Sequence, residues 1–188
     1  VRDAILDLWF GGEPDLYRDA WFRVDPAFDS ALRDAFGGMA EHAAQGGLSE
    51  WVSEPLGALA LCLLLDQVPR NVHRGTARAF AADPLARQVA REAVLVRRHD
   101  LRLTPIQRIF LYLPFEHSEA MADQDLSVAL YEGLRDDPRI AAPGGAIDYA
   151  WRHRKVVARF GRFPHRNAAL ARVNSEAETV FLAHYGGF

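Results

Sequence analysis

Three stretches of this sequence hold more polar chemistry than a helical protein needs for solubility. The densest is Arg152-His153 followed by Arg159-Phe160-Gly161-Arg162-Phe163-Pro164-His165-Arg166-Asn167. Gly161 admits a left-handed helix end, and Pro164 restricts Phe163 to extended geometry. Guanidinium forks and backbone N–H groups at such a turn suit a phosphate or a carboxylate. The second stretch is Phe110–Glu119 with Asp123 and Gln124. On one helix, Glu116, Glu119 and Asp123 stand at i, i+3 and i+7, with His117 and Gln124 in the next row. Like charges so placed repel by roughly a few tenths of a kcal/mol per pair. The spacing therefore predicts something positive over them: arginine, solvent or a divalent metal. A carboxylate pressed against aromatic surface also has a raised pKa and suits general acid–base work. The third stretch, Asp66-Gln67-Val68-Pro69-Arg70-Asn71, closes the apolar run Leu56–Leu65 and leads into Arg74–Phe80. A segment that apolar is buried nearly all round. Asp66 and Gln67 are therefore expected near the core, with Arg70 and Arg74 as partners.

Two readings of these residues stand together. In one, the arginines neutralise Glu116, Glu119, Asp123 and Asp66 inside the protein. In the other, the network lines a pocket that binds a small anion through Arg70, Arg159, Arg162 and Arg166. Asp66, Gln67, Asn71, Arg74, Glu119, Asp123, Gln124, His153 and Asn167 are the further expected lining. Glu116, with His117 or His165, would supply hydrolase or lyase chemistry without an organic cofactor. A metal held by Glu116, Glu119 and a histidine is the alternative use of the same carboxylates.

Other chemistries lack their motifs. HExxH and the paired Glu-x-x-His of di-iron bundles are absent. His117-Ser118-Glu119 matches half of a zinc-deaminase signature without its Pro-Cys-x-x-Cys half. His99-Asp100 is a dipeptide of helical phosphohydrolases, but a bare dipeptide is expected by chance. No GxSxG, P-loop or GxGxxG in strand context occurs. The single cysteine, Cys62, permits neither an internal disulfide nor a cysteine-based zinc framework.

The elements that must position these residues are helical. Proline at a first helical position follows Asp25, Glu54, Asp83 and Thr104, and all but Glu54 are read as side-chain caps. Thr104–Gln107 and Ser175–Glu178 fit the capping-box pattern. Glycine pairs at 11–12, 46–47 and 186–187 mark helix ends, while Gly37-Gly38 is expected to bend its helix. Apolar residues recur at three- and four-residue spacing, as in Ile5, Leu8 and Trp9 or Leu126, Leu130 and Leu134. Helices are expected near 1–10, 15–23, 26–45, 55–67, 75–81, 84–98, 105–112, 117–135, 146–161 and 175–185, with 136–145 a loop within one domain. The expectation is an all-α, single-domain chain over residues 1–188 with about eight to ten helices. Trp9, Trp21, Trp51 and Trp151 are expected in the core.

Composition agrees. The chain has 188 residues, 49% of them hydrophobic and 25% charged, with a net charge of −3. At this length folding buries roughly 70% of the unfolded chain's surface, so no covalent staple is needed. The mild acidity argues against nucleic acid or anionic lipid as a partner. The run Leu56–Leu65 falls short of the ~20 residues that span a bilayer. No leader is read at Val1, so a cytoplasmic location is expected. Of 22 basic residues only Lys155 is lysine. Arginine suits bidentate anion recognition and partial burial better than lysine does.

The strings Leu65–Asn71, Arg74–Phe80, Leu113–Glu119, Ala122-Asp123-Gln124 and Arg159–Asn167, with Ile5–Gly11 and Trp51–Gly57, resemble the signature blocks of one bacterial family. It is the uncharacterised family catalogued as domain of unknown function 924. Val68 stands where that family often has Phe. The resemblance runs nearly end to end and implies a tetratricopeptide-repeat-like helical array, with no established reaction. Such arrays usually present a groove to a peptide, so a peptide-interaction module is the second functional expectation.

Overall fold

The computed structural model describes residues 2–18, 21 and 23–186, and among these it is all-α, with no strand. In chain order come α1 (Arg2–Phe10), α2 (Pro26–Ala44), α3 (Pro55–Cys62), α4 (Val68–Val72) and α5 (Asp83–Arg91). They are followed by α6 (Pro105–Glu116), α7 (Met121–Glu132), α8 (Pro138–Ala141), α9 (Ala146–Phe160) and α10 (Glu176–Tyr185). Both capping boxes form, and Asp25 accepts from the N–H groups of Ala27 and Phe28. Asp83 is no cap: Ala82 precedes the helix, and the Asp83 carboxylate turns to Arg70 instead.

Several expected boundaries shift for physical reasons. The helix read over 55–67 does not stop. It widens into a π-helical turn at Leu63–Gln67 and runs on as α4. Pro69 has no N–H and would crowd the carbonyl four residues back in a regular helix. The wider turn removes that clash and places Asp66 and Gln67 at the core. A second π-helical turn, Glu92–Val96, extends α5. α6 passes through Pro114 to Glu116, and α7 begins only at Met121, so Glu116, Glu119 and Asp123 do not share a helix face. The Gln124 amide donates to the carbonyls of Glu116 and Ser118, both at 2.6 Å, and so satisfies the open end of α6. α2 runs through Gly37-Gly38 without a break, and 75–81 holds only a 3₁₀ turn at Ala77–Phe80. The helix read over 15–23 falls partly on positions 19, 20 and 22, outside the described residues. Its described part forms no α-helix, with Trp21 in a 3₁₀ turn, and is tied down by Arg18 and the Trp21 indole at the Trp9 carbonyl.

One core runs from α1 to α9. Trp9, Phe10, Trp21 and Phe110 pack edge to face at its centre. Cys62 is buried there, and burial pushes its thiol pKa up, as for an inert packed side chain. Trp151 departs from expectation: it is 38% exposed and donates to Glu132. A smaller cluster, Val156, Val157 and Phe163, sits where α9 meets the chain after it. α7 packs against both α6 and α9, and this brings the three polar stretches together.

Gly57 is where α3 meets the turn before it. A Cβ at this position would stand 2.2 Å from the Trp51 carbonyl oxygen. Gly57→Ala should therefore destabilise the protein by about 1–3 kcal/mol through overpacking against backbone. Urea unfolding followed by tryptophan fluorescence reads this directly, and an unchanged midpoint would contradict the close approach.

Candidate functional site

Asp66 is the hinge of the polar cluster. Its side chain is 1% exposed and accepts from His117 Nδ1 at 2.8 and 3.0 Å, from Arg70 Nη1 at 2.9 Å and from the Gln67 amide at 2.5 Å. Burial alone would raise its pKa. Arg70 and His117 outweigh that and hold the carboxyl well below the usual aspartate range. Arg70 in turn forks onto Asp83 with two bonds of 2.9 Å, and its Nη1 also reaches the Asp66 carbonyl. Because the anionic Asp66 only accepts, His117 carries its proton on Nδ1 and presents a bare Nε2. Burial, with Arg70 beside it, lowers the His117 pKa, so the ring is a neutral base at pH 7. The cluster reaches solvent through Arg70, Asp83 and His117, whose side chains are 16%, 15% and 13% exposed.

Behind His117 lies a second pair. Glu116 is 3% exposed, its Oε1 3.0 Å from His153 Nδ1, and it faces the Tyr131 hydroxyl. The Tyr131 hydroxyl lies between the Ile109 carbonyl and Glu116, and its hydrogen bond to the carboxylate favours the ionised form. Burial outweighs that bond and, with the charge on Asp66, pushes the Glu116 pKa up to about 8. His153 spends Nδ1–H on the Tyr149 carbonyl at 2.8 Å, and burial keeps its ring neutral.

A proton-linked prediction follows. The folded pKa of Glu116 lies above its unfolded value, so the native state binds the extra proton between about pH 4.5 and 8. Stability from this group is complete below that window and is lost as pH rises through it. Glu116→Gln keeps the neutral form at every pH. Its stability relative to the parent should climb from pH 5 to 8 and then level off in denaturant titrations; a constant difference would mean that Glu116 is ionised throughout.

Arg166 forms the third part. It is 6% exposed, and its guanidinium lies between the rings of Phe80 and Phe163 at 4.7 and 4.5 Å. Its N–H donors are what an anion would meet. They are poorly used: Nη1 is 3.4 Å from Asp83, and the buried Nε has no hydrogen-bond partner among the described residues. Burial and the nearby Arg70 lower its pKa to about 10, which leaves it charged at pH 7. Phe163 is fully buried, with His153 edge-on at 5.4 Å and His165 at 5.6 Å. Burial, with Arg166 alongside, lowers the His165 pKa to about 4.

Of the residues expected at the site, Asp66, Gln67, Arg70, Glu116, His117, His153, His165 and Arg166 come together here. Others are drawn off into structural pairs. Arg74 forks onto Asp29, and Arg162 onto Glu178 at the start of α10. Asp123 is held by Ser118, Arg87 and Arg91, and Glu119 by Arg172 and the Phe163 N–H. Arg159 is exposed over Phe160. Asn167 donates to Asn174, while the buried Asn71 amide has no partner among the described residues. Glu116 and Glu119 thus face different neighbours, and no group of His, Cys, Asp or Glu suited to a metal occurs among the described residues. Sequence reasoning missed Asp83, Phe80, Tyr131 and Arg172. Asp83 had a signal, an acidic residue before proline, but that signal equally marks a cap.

A family model described as "Bacterial protein of unknown function (DUF924)" matches residues 5–186. A solved structure of a protein of unknown function from Agrobacterium tumefaciens is similar at 40% identity over 97% of each chain, with a TM-score of 0.86. No curated protein matches. No helix among the described residues is long and apolar enough to cross a membrane.

Proposed function

The chain belongs to the DUF924 family of bacterial proteins of unknown function, and from that premise we propose that it binds a small anionic ligand beside His117. The observation that supports this most directly is Arg166, a buried cation against two phenylalanine rings, whose Nε has no partner among the described residues and whose Nη1 makes only a 3.4 Å contact to Asp83. A desolvated guanidinium edge with unmet donors gains most from a carboxylate or phosphate oxygen. Arg70 lies next to it on Asp83, and His117 stands oriented by Asp66 with Nε2 unencumbered.

In this reading His117 is the acid–base group, of the kind that hydrolase or lyase chemistry uses. Asp66 fixes its tautomer, and the neutral ring accepts a proton at pH 7. His165 is the second imidazole beside the ligand. Glu116 lies behind His117, its Oε1 3.0 Å from His153 Nδ1. The test is thermal unfolding against a panel of phosphates and carboxylates. A ligand at 100 times its dissociation constant adds about 2.7 kcal/mol, a rise of roughly 5–10 °C at this size. Arg166→Met should abolish the shift, and His117→Gln should reduce it. A shift that survives Arg166→Met would overturn the assignment.

The second reading, a peptide-docking module, has one observation in its favour. An apolar groove of about 540 Å³ runs past Leu61, Leu65, Leu85, Val89, Leu95 and Val96. Its charged rim is already engaged, Arg91 with Asp123 and Glu92 with Arg97, so it offers no clamp for a peptide carboxylate.

A further inference from the structure

The charges around His117 balance before any ligand arrives. Asp66 and Asp83 are matched by Arg70 and Arg166, and the imidazoles of His117, His153 and His165 stand among them without charge. An incoming monoanion is met by Arg166 alone once that residue gives up its long contact to Asp83. A dianion needs one positive charge more, and imidazole is the group that supplies it.

We infer that the site takes a doubly charged tetrahedral oxyanion, of the phosphoryl or sulfate class, together with a proton that settles on His117 or His165. This rests on the anion-binding reading above and specifies the ligand's charge at that same site. His117 is the better placed of the two, because Nδ1 is already tied to Asp66 and Nε2 is left to take the proton. The resulting imidazolium faces the Asp66 carboxylate on one side and the anion on the other, which offsets the repulsion of Arg70 and Arg166. His165 faces Arg166, His117 and Arg70, with Glu119 as its favourable neighbour, and it also acts on His153. His153 lies deeper, its Nδ1 proton committed to Tyr149, and stays neutral. No bond is made or broken: the proton comes from solvent, and the anion's charge is what holds it on the ring.

Sulfate is the probe, because it does not titrate between pH 5 and 8 and any proton taken up belongs to the protein. Titration calorimetry of the full chain with sulfate, in two buffers of different ionisation enthalpy at one pH, should show about one proton bound per anion, and affinity should rise about tenfold per pH unit on going from pH 8 to 6. Acetate should bind more weakly, with no proton uptake. A His117→Gln/His165→Gln variant, its fold checked by thermal unfolding, should bind sulfate weakly and without pH dependence through Arg166. Sulfate binding with no proton uptake, or acetate binding as tight as sulfate, would overturn the inference and leave the anion site standing. Absence of binding by sulfate, phosphate and acetate alike would overturn the anion site itself.

Discussion

Replacing Arg70 by methionine should lower the unfolding free energy by about 3–5 kcal/mol, the range for removing one partner of a buried ion pair. Arg70 is the only side chain bonded to both Asp66 and Asp83 among the described residues. Without it Asp66 stays buried with neutral partners, His117 and Gln67, and Asp83 keeps only the 3.4 Å contact to Arg166. Urea unfolding at pH 7 measures the loss. Arg78→Met is the control: Arg78 and its partner Glu41 are 64% and 58% exposed, so its loss should cost no more than about 1 kcal/mol. The difference between parent and Arg70→Met should also narrow in acid. The folded pKa of Asp66 is depressed, so its stabilisation is present above the ordinary aspartate pKa and is lost as pH falls below about 4. A loss below 1 kcal/mol at pH 7 would mean that solvent already screens the cluster.

Phe163→Ala should be comparably severe, about 3–5 kcal/mol, because a fully buried ring leaves a cavity that its neighbours fill only in part. Phe163 touches His153, His165 and Arg166 at once, so its loss should also loosen the site. Phe163→Leu separates the two effects. It keeps most of the volume and should fall within about 1.5 kcal/mol of the parent. It removes one cation–π face from Arg166, so sulfate should bind more weakly at nearly unchanged stability. Unaltered binding in Phe163→Leu would show that Phe80 and the Asp83 contact hold Arg166 without Phe163.

How much of this was legible in advance differs by residue. Helix starts at Asp25, Thr104 and Ser175 were readable because a cap uses atoms within three residues of one another. Helix interiors were readable because apolar spacing repeats every turn, and the signature strings were long enough to identify the family. The pairing of Asp66 with Arg70 was within reach for the same reason, being one helical turn apart.

Everything that makes those residues a site was decided by tertiary structure. Asp83 is an ordinary cap candidate by sequence and becomes a partner of Arg70 only when α5 folds beside α4. The carboxylates Glu116, Glu119 and Asp123 look like one acidic face until the chain breaks between α6 and α7 and sends each to a different cation or ring. Arg162 and Arg166 are indistinguishable in the sequence. One is tied to Glu178, and the other lies between two phenylalanines drawn from residues 80 and 163. Sequence by itself determined the all-α class and the inventory of polar groups, since both depend on local geometry and composition. Which arginine is left with an open edge, and which histidine stays neutral, depends on burial and on charges brought from distant segments, and that is a property of packing alone.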